Sequence, residues 1–164
     1  MPISFENLQF TYFEDRKPVL AQVSAAFDAS EITVLTGPSG CGKSTLLYLA
    51  AGIYPQAAGL VQGGRVTVEG VEPASLKPPE RCRLVGLMFQ NPELQFCMDT
   101  VRNELIFCLE NIRTDPAEIE ARMDEALAFC EIAHLKDRTL LSLSGGERQK
   151  VMLACLTALG PKWL

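Results

Sequence analysis

Residues 37–45 have the composition that a phosphate-binding loop requires. They read Gly-Pro-Ser-Gly-Cys-Gly-Lys-Ser-Thr, which fits the pattern G-x-x-x-x-G-K-S. The glycines allow backbone N–H groups to turn inward and surround phosphate oxygens. We predict that Lys43 neutralises phosphate charge and that the Ser44 hydroxyl binds Mg²⁺, while the helix that begins here adds its positive end. The positions predicted to bind phosphate are Gly37, Pro38, Ser39, Gly40, Cys41, Gly42, Lys43, Ser44 and Thr45.

A second candidate anion site lies at residues 143–147, Leu-Ser-Gly-Gly-Glu. Ser144 and Glu147 have the spacing of a capping box, so a helix is expected to begin here. The glycines Gly145 and Gly146 are costly in a segment that needs only a cap. They make sense where another molecule must approach the backbone, because free N–H groups at a helix N-terminus bind anions. A plain helix cap and a second phosphate site both remain open at this point.

Five strands are predicted around the first motif. Residues 3–10, 23–27 and 65–69 alternate apolar and polar side chains, as half-buried strands do. Residues 31–36 form a short apolar run that leads into the phosphate-binding loop. Residues 84–89 are nearly all apolar, which is typical of a strand that is buried on both faces.

The second half of the chain is predicted to be helical. Thr100 can cap a helix that continues to about residue 110, and Asp115 followed by a proline begins another. Ser144 opens a third helix, which Gly160 and the following proline end. A further helix is expected directly after the phosphate-binding loop, over residues 46–51.

Composition and charge exclude several classes of protein. The 164 residues are 48% hydrophobic and carry a net charge of −5, so neither disorder nor a basic nucleic-acid-binding face is expected. No apolar run reaches the roughly 18 residues of a membrane span, and the N-terminus does not resemble a signal peptide. None of the six cysteines has Cys-x-x-Cys spacing, so we interpret them as small buried residues rather than zinc ligands or disulfides. The one histidine, His134, is expected at the surface or at a helix end.

Taken together, the motifs resemble those of the nucleotide-binding subunit of ABC transporters. Residues 37–45 match its P-loop, and residues 143–147 match its LSGGQ signature, with Glu147 in place of the commoner glutamine. Gln90 matches the Q-loop glutamine, which contacts Mg²⁺ and the attacking water. Tyr12 matches the aromatic residue that stacks on adenine. The resemblance therefore implies ATP and Mg²⁺ as cofactors.

The resemblance also implies roles and a fold. Gln90 and Lys43 would be catalytic, and Ser44 and Gln90 would hold the metal. The expected fold is α/β: a P-loop NTPase core with an N-terminal antiparallel β subdomain and an α-helical subdomain. We expect one domain over residues 1–164, with the β subdomain and P-loop core in 1–90 and the helical subdomain in 91–160.

One part of the family's catalytic apparatus is missing from the sequence. In the family, the strand that carries the Walker B Asp and then the catalytic Glu would begin at about residue 162, so the core is expected to be incomplete at the C-terminus. The switch histidine would follow later, whereas His134 precedes the signature. We therefore expect these 164 residues to bind nucleotide without hydrolysing it, because hydrolysis needs carboxylates beside Mg²⁺ and the attacking water.

The implied function is energy coupling in an importer. Two ATPase subunits, identical or different, would hold two ATP molecules between the P-loop of one and the signature of the other. A transmembrane coupling component would sit near residues 91–113 and keep the chain on the cytoplasmic face of the cell membrane. Residues 88–96 and 103–111 resemble those of energy-coupling-factor ATPases, which drive uptake of vitamins or of cobalt and nickel ions.

Two other functions remain open from the sequence. A soluble P-loop kinase would explain Lys43 and Ser44, but it would leave residues 143–147 and Gln90 without a role. A non-hydrolysing remnant could bind nucleotide or a partner and act only as a regulator.

Overall fold

A computed structural model describes residues 2–164, which fall into two compact units. The first unit comprises the described residues up to Lys77 together with Trp163, and the second comprises Pro78 to Lys162 together with Leu164. Each unit has its own cluster of buried apolar side chains. In the described part of the chain, no helix combines the length and the apolar composition needed to cross a membrane.

The first unit is built on a three-stranded antiparallel sheet. Strand β1 (Ile3–Thr11) lies between β2 (Leu20–Phe27) and β3 (Leu60–Val68). Helix α1 (Lys43–Ala50) follows the phosphate-binding loop and packs on the same core. The buried members of its core cluster are Phe5, Leu8, Phe10, Leu20, Leu49, Ala50 and Val66. The three strands predicted from alternation and the helix predicted after the loop are confirmed.

The other two predicted strands are wrong. Residues 31–36 have no regular structure and are all exposed, from 39% at Leu35 to 98% at Ile32 among the apolar side chains. In the segment 84–89, Leu84 ends helix α2 (Pro78–Leu84), and the following residues are mostly irregular. The physical reason is that an apolar run becomes a strand only where a neighbour takes up its backbone hydrogen bonds. None of the three strands described for residues 2–164 pairs with either segment.

The second unit is formed mainly by three helices that pack on one another. These are α3 (Val101–Asn111), α4 (Pro116–Phe129) and α5 (Gly145–Leu159). Their apolar faces meet in a core whose fully buried members are Val101, Leu105, Leu109, Met123, Leu127, Val151 and Ala154. Helix α5 is thus held firmly by its apolar face, and its N-terminal end carries the second motif.

Local capping fixes where these helices begin and end. The Thr100 hydroxyl accepts a hydrogen bond from the N–H of Asn103 at 3.2 Å, and the Asp115 carboxylate accepts one from Ala117 at 3.0 Å. Gly160 ends α5 in the left-handed conformation, with φ of 61°. The helix starts predicted at Thr100, Asp115 and Ser144 are confirmed, because each rests on a side-chain contact within three residues of the cap. Helix α1 begins at Lys43, three residues before the predicted start.

The cysteines are more exposed than the sequence predicted. Cys130 and Cys155 are buried, but Cys41 and Cys97 are exposed, so for these two the prediction of small buried residues is wrong. The remaining two, Cys82 and Cys108, are half-buried, and all six are free thiols. His134 is exposed in a short 3-10 turn, as expected.

Candidate functional site

The phosphate-binding loop turns at three glycines before α1. Gly37, Gly40 and Gly42 have φ of 150°, 79° and 96°, values that other residues rarely adopt. A Cβ on Gly42 would also lie 2.8 Å from Cδ2 of Leu20, so that side chain would have to shift, and the positive φ favours glycine independently. A Cβ on Gly40 would meet no atom within 4 Å, so the space beside this part of the loop is open.

The ammonium group of Lys43 lies against this loop. Its Nζ donates hydrogen bonds to the carbonyl oxygens of Gly37 and Pro38, at 2.8 Å each, and lies 3.7 Å from Sγ of Cys41. No carboxylate of the described residues forms an ion pair with it. The loop therefore holds a positive charge that only neutral acceptors satisfy, which suits the binding of an anion.

The N-terminus of α1 adds further donors. The first helical hydrogen bond runs from the N–H of Leu46 to the carbonyl of Gly42 at 2.9 Å. The N–H groups of Lys43, Ser44 and Thr45 consequently have no acceptor within the helix, and they lie at its positive end. Together with the lysine, these donors fit a polyphosphate.

Tyr12 lies beside the same loop. Its hydroxyl oxygen is 2.8 Å from Oγ1 of Thr45, and its ring is half-buried against Phe10 and Tyr54. Burial raises the pKa of Tyr54, and a hydrogen bond with Tyr12 raises it further. The structure thus brings together Tyr12 and the predicted phosphate-binding residues, within the first unit.

Gln90, the remaining predicted catalytic residue, lies in the second unit and is exposed. The residue that shapes the backbone just before it is Gln95, whose Oε1 accepts from the N–H of Phe89 at 2.6 Å and whose Nε2 donates to the carbonyl of Leu87 at 3.0 Å. Gln95 therefore restrains the residues from which Gln90 emerges. No role for Gln95 could be predicted from the sequence, because its partners are backbone groups that no motif reveals.

Glu104 is a second positioning residue that the sequence analysis missed. It is 1% exposed, and one carboxylate oxygen accepts hydrogen bonds from the N–H groups of Cys97 and Met98, at 2.9 and 2.7 Å. It thereby fixes the segment between Gln90 and α3. Its burial could have been suspected from the sequence, because Glu104 lies beside the apolar positions Val101 and Leu105 of the predicted helix.

The second motif forms a complete capping box. The Ser144 N–H and hydroxyl both donate to Oε2 of Glu147 at 2.7 Å, and the Glu147 N–H donates back to Oγ of Ser144 at 3.3 Å. The hydrogen bond from the Ser144 hydroxyl, followed by that from its N–H, lowers the pKa of Glu147. The side chain is therefore a carboxylate at neutral pH.

The two glycines of this motif have no local explanation. Neither Gly145 nor Gly146 has a positive φ, and a Cβ on either would meet no atom within 4 Å. Alanine would fit both places and favour the helix. The cap alone therefore does not account for the glycines, which favours the close approach of another molecule.

The donors available for a metal ion are few. Within residues 2–164, no three His, Cys, Asp or Glu side chains are grouped closely enough to hold one. Mg²⁺ in a nucleotide site is held by one or two protein oxygens together with phosphates and water. The exposed hydroxyl of Ser44, at the start of α1, fits that arrangement without a carboxylate cluster.

Comparisons with known proteins agree with this geometry. A family model described as "ABC transporter" matches residues 20–164. The putative HMP/thiamine import ATP-binding protein YkoD of Bacillus subtilis (strain 168) is 38% identical over 161 residues, which is 98% of this chain and 29% of that protein. The chain spans only 25% to 31% of the length of the first five curated relatives.

Solved structures match the fold as a whole. The structure of cbiO1 from Clostridium perfringens, described as part of the ABC transporter complex cbiONQ, has a TM-score of 0.82 and 27% identity. It covers 97% of this chain, which in turn covers 62% of that one. The ATP-binding cassette MJ0796, dimeric and bound to ADP and Pi, has a TM-score of 0.79 and 21% identity. The match covers 97% of this chain and 70% of the MJ0796 chain. These matches confirm the α/β fold expected from the sequence.

Proposed function

Because this chain belongs to the ABC transporter family, we propose that it binds Mg-ATP and couples it to uptake of a solute. The observation that carries the proposal is the ammonium of Lys43, held in the glycine loop by the carbonyl oxygens of Gly37 and Pro38. ATP supplies a chain of phosphates. Lys43 neutralises them, the first N–H groups of α1 donate to their oxygens, and the Ser44 hydroxyl contributes to holding Mg²⁺.

We propose that the adenine base stacks on Tyr12. The ring lies next to the loop, at the end of β1, and part of it remains at the surface. Aromatic rings offer such a face to every purine, so stacking contributes affinity rather than strict choice of base. The choice of base then depends on neighbouring groups rather than on the ring itself.

The second motif is proposed to bind a nucleotide held by another ATPase subunit. The open space above Gly145 and Gly146, at the positive N-terminal end of α5, supports this role. Ser144, Gly145, Gly146 and Glu147 would then complete the site of a partner, so that ATP contacts both subunits only in the closed pair. Such a ligand shifts the equilibrium towards closure.

Coupling to a membrane component is proposed for the surface after Gln90. Leu94 is 75% exposed there and Met98 is 38% exposed, which provides apolar contact area beside the Q-loop. The chain would then lie on the cytoplasmic face of the membrane through that component. The YkoD relative, named as an HMP/thiamine import ATP-binding protein, and the cbiONQ complex of the cbiO1 structure support an importer of a vitamin or metal ion.

Hydrolysis of ATP is the activity that membership of the family implies, and it requires more than the residues described above. We propose that residues 1–164 alone bind ATP without turnover, since they contain no apolar run that ends in Asp-Glu. Gln90 and Lys43 would take part in catalysis only when that pair of carboxylates is supplied. Membership of the ABC transporter family argues against the alternative function of a soluble P-loop kinase.

The proposal is tested by titrating Mg-ATP into the purified chain in a calorimeter. Lys43→Ala removes the charged donor, so the ATP affinity should fall by about tenfold or more, as expected when a hydrogen bond to a charged group is lost. Lys150→Ala, an exposed change of the same charge on α5, is the matched control and should bind as the parent does. Equal affinities of the parent and Lys43→Ala would contradict the proposed site.

A further inference from the structure

One hydrogen bond joins the two recognition elements of the first unit. The Tyr12 hydroxyl and Oγ1 of Thr45 lie 2.8 Å apart, although 33 residues separate them in sequence. Tyr12 directly follows β1, whereas Thr45 lies in the first turn of α1, immediately after Lys43 and Ser44. The proposed base-stacking ring is thus attached to the helix that binds phosphate.

Thr45 is placed so that its hydroxyl has little access to water. It is 4% exposed, and buried hydroxyl groups need a partner because an unpaired one loses its hydrogen bonds to water. Tyr12 supplies that partner. A valine at position 45 has almost the same shape but no hydroxyl, so it would remove the bond without leaving a large cavity.

The ring of Tyr12 is restrained from two further sides. It meets Phe10 edge to face, with centroids 5.2 Å apart at 85°, and Tyr54 in the same way, at 5.7 Å and 89°. Phe10 and Tyr54 in turn stack nearly parallel, 5.6 Å apart. These contacts restrain the plane of the ring, and its hydroxyl is held by Thr45 and by the hydrogen bond with Tyr54.

We propose that Thr45 is the positioning residue for Tyr12: its hydroxyl fixes the stacking ring at a set distance from the phosphate-binding loop. The inference rests on the proposed function, since it assigns Thr45 a role in recognising the base of ATP. It explains why position 12 holds tyrosine, whose hydroxyl stacking does not need. It also predicts that base recognition and phosphate binding depend on each other.

The experiment is a double-mutant cycle with two probes, Mg-ATP and inorganic tripolyphosphate. Tyr12→Phe and Thr45→Val each remove one side of the bond, and each should weaken ATP binding by about three- to tenfold. The double variant should bind as weakly as Tyr12→Phe alone, because that change already removes the bond to Thr45. Thr45→Ser keeps the hydroxyl and should restore ATP affinity. The loss should be larger for ATP than for tripolyphosphate, which has no base.

Thermal melting of every variant separates positioning from folding. If Tyr12→Phe binds ATP as the parent does, or if the two single losses add in the double variant, Thr45 does not position the ring and the inference fails. If the parent binds ATP with the affinity of tripolyphosphate, no base is recognised and the inference fails while the phosphate site stands. A folded parent that binds neither probe overturns the proposed function and this inference with it.

Discussion

Alkylation of Cys41 offers a direct probe of the phosphate-binding loop. Its thiol is exposed, and its Sγ lies 3.0 Å from the position that a Cβ on Gly37 would occupy and 3.7 Å from Nζ of Lys43. A maleimide on Cys41 therefore adds bulk inside the loop, next to the proposed phosphate positions. We expect bound Mg-ATP to block the reaction, and the adduct to block binding of ATP.

The size of the protection follows from mass action. If only the free chain reacts, the rate at Cys41 falls by the factor 1 + [ATP]/Kd, which is about 11-fold at ten times Kd. Burial raises the pKa of Cys82 and Cys130, and a hydrogen bond with Cys108 together with burial raises the pKa of Cys155, so these thiols carry less thiolate and should react slowly. Cys97 is exposed in the second unit and serves as the internal control, although burial of its sulfur also raises its pKa.

The assay is a time course of maleimide labelling read by peptide mass spectrometry. Labelling of Cys41 should slow in proportion to the ATP concentration, while labelling of Cys97 should keep its rate. Lys43→Ala should lose the protection, because that variant binds ATP weakly. Equal Cys41 rates with and without Mg-ATP, in a sample that calorimetry shows to be saturated, would refute the assignment of the loop.

Three further results are expected, and each has its own measurement. Leu127→Ala should lower the free energy of unfolding in urea by about 2–5 kcal/mol, because Leu127 is 0% exposed, whereas Phe129→Ala on the same helix, at a side chain 74% exposed, should change it little. Glu147→Gln keeps an acceptor for the cap but removes a negative charge from the proposed nucleotide contact, so ATP-driven dimerisation, followed by analytical ultracentrifugation, should strengthen about two- to fivefold. Because the pKa of Glu147 is lowered in the folded chain, its stabilising effect is present above its ordinary pKa of 4.5 and is lost as the pH falls through the lowered value. Melting curves at a series of acidic pH values should therefore show the parent losing its advantage over Glu147→Gln.

Features that depend on neighbouring residues could be predicted from the sequence. Thr100, Asp115 and Ser144 cap helices because the side chain and its acceptor or donor are within three residues of each other. The turns at Gly37 and Gly42 were equally evident, because only glycine readily adopts their φ values. In each case the energy that decides the structure is local.

Features that depend on distant partners could not be predicted. The apolar run at residues 31–36 has the composition of a strand, but a strand also needs a neighbour, which no pattern within the run supplies. The bond between Tyr12 and Thr45 crosses 33 positions and involves two residue types that are common elsewhere. The buried carboxylate of Glu104 is similar, because its donors are backbone groups outside its helix.

The exposed run at residues 31–36 also offers a surface for contact between copies of the chain. The segment reads Glu-Ile-Thr-Val-Leu-Thr, with one charge followed by five β-branched or apolar residues, and Ile32 and Val34 are 98% and 76% exposed. Open backbone groups beside such side chains are a template for a strand of another molecule. Self-association through this run should therefore rise with protein concentration. Gly37, the first residue of the phosphate-binding loop, follows this run directly. A strand that pairs with residues 31–36 should therefore also restrain the backbone at the start of that loop.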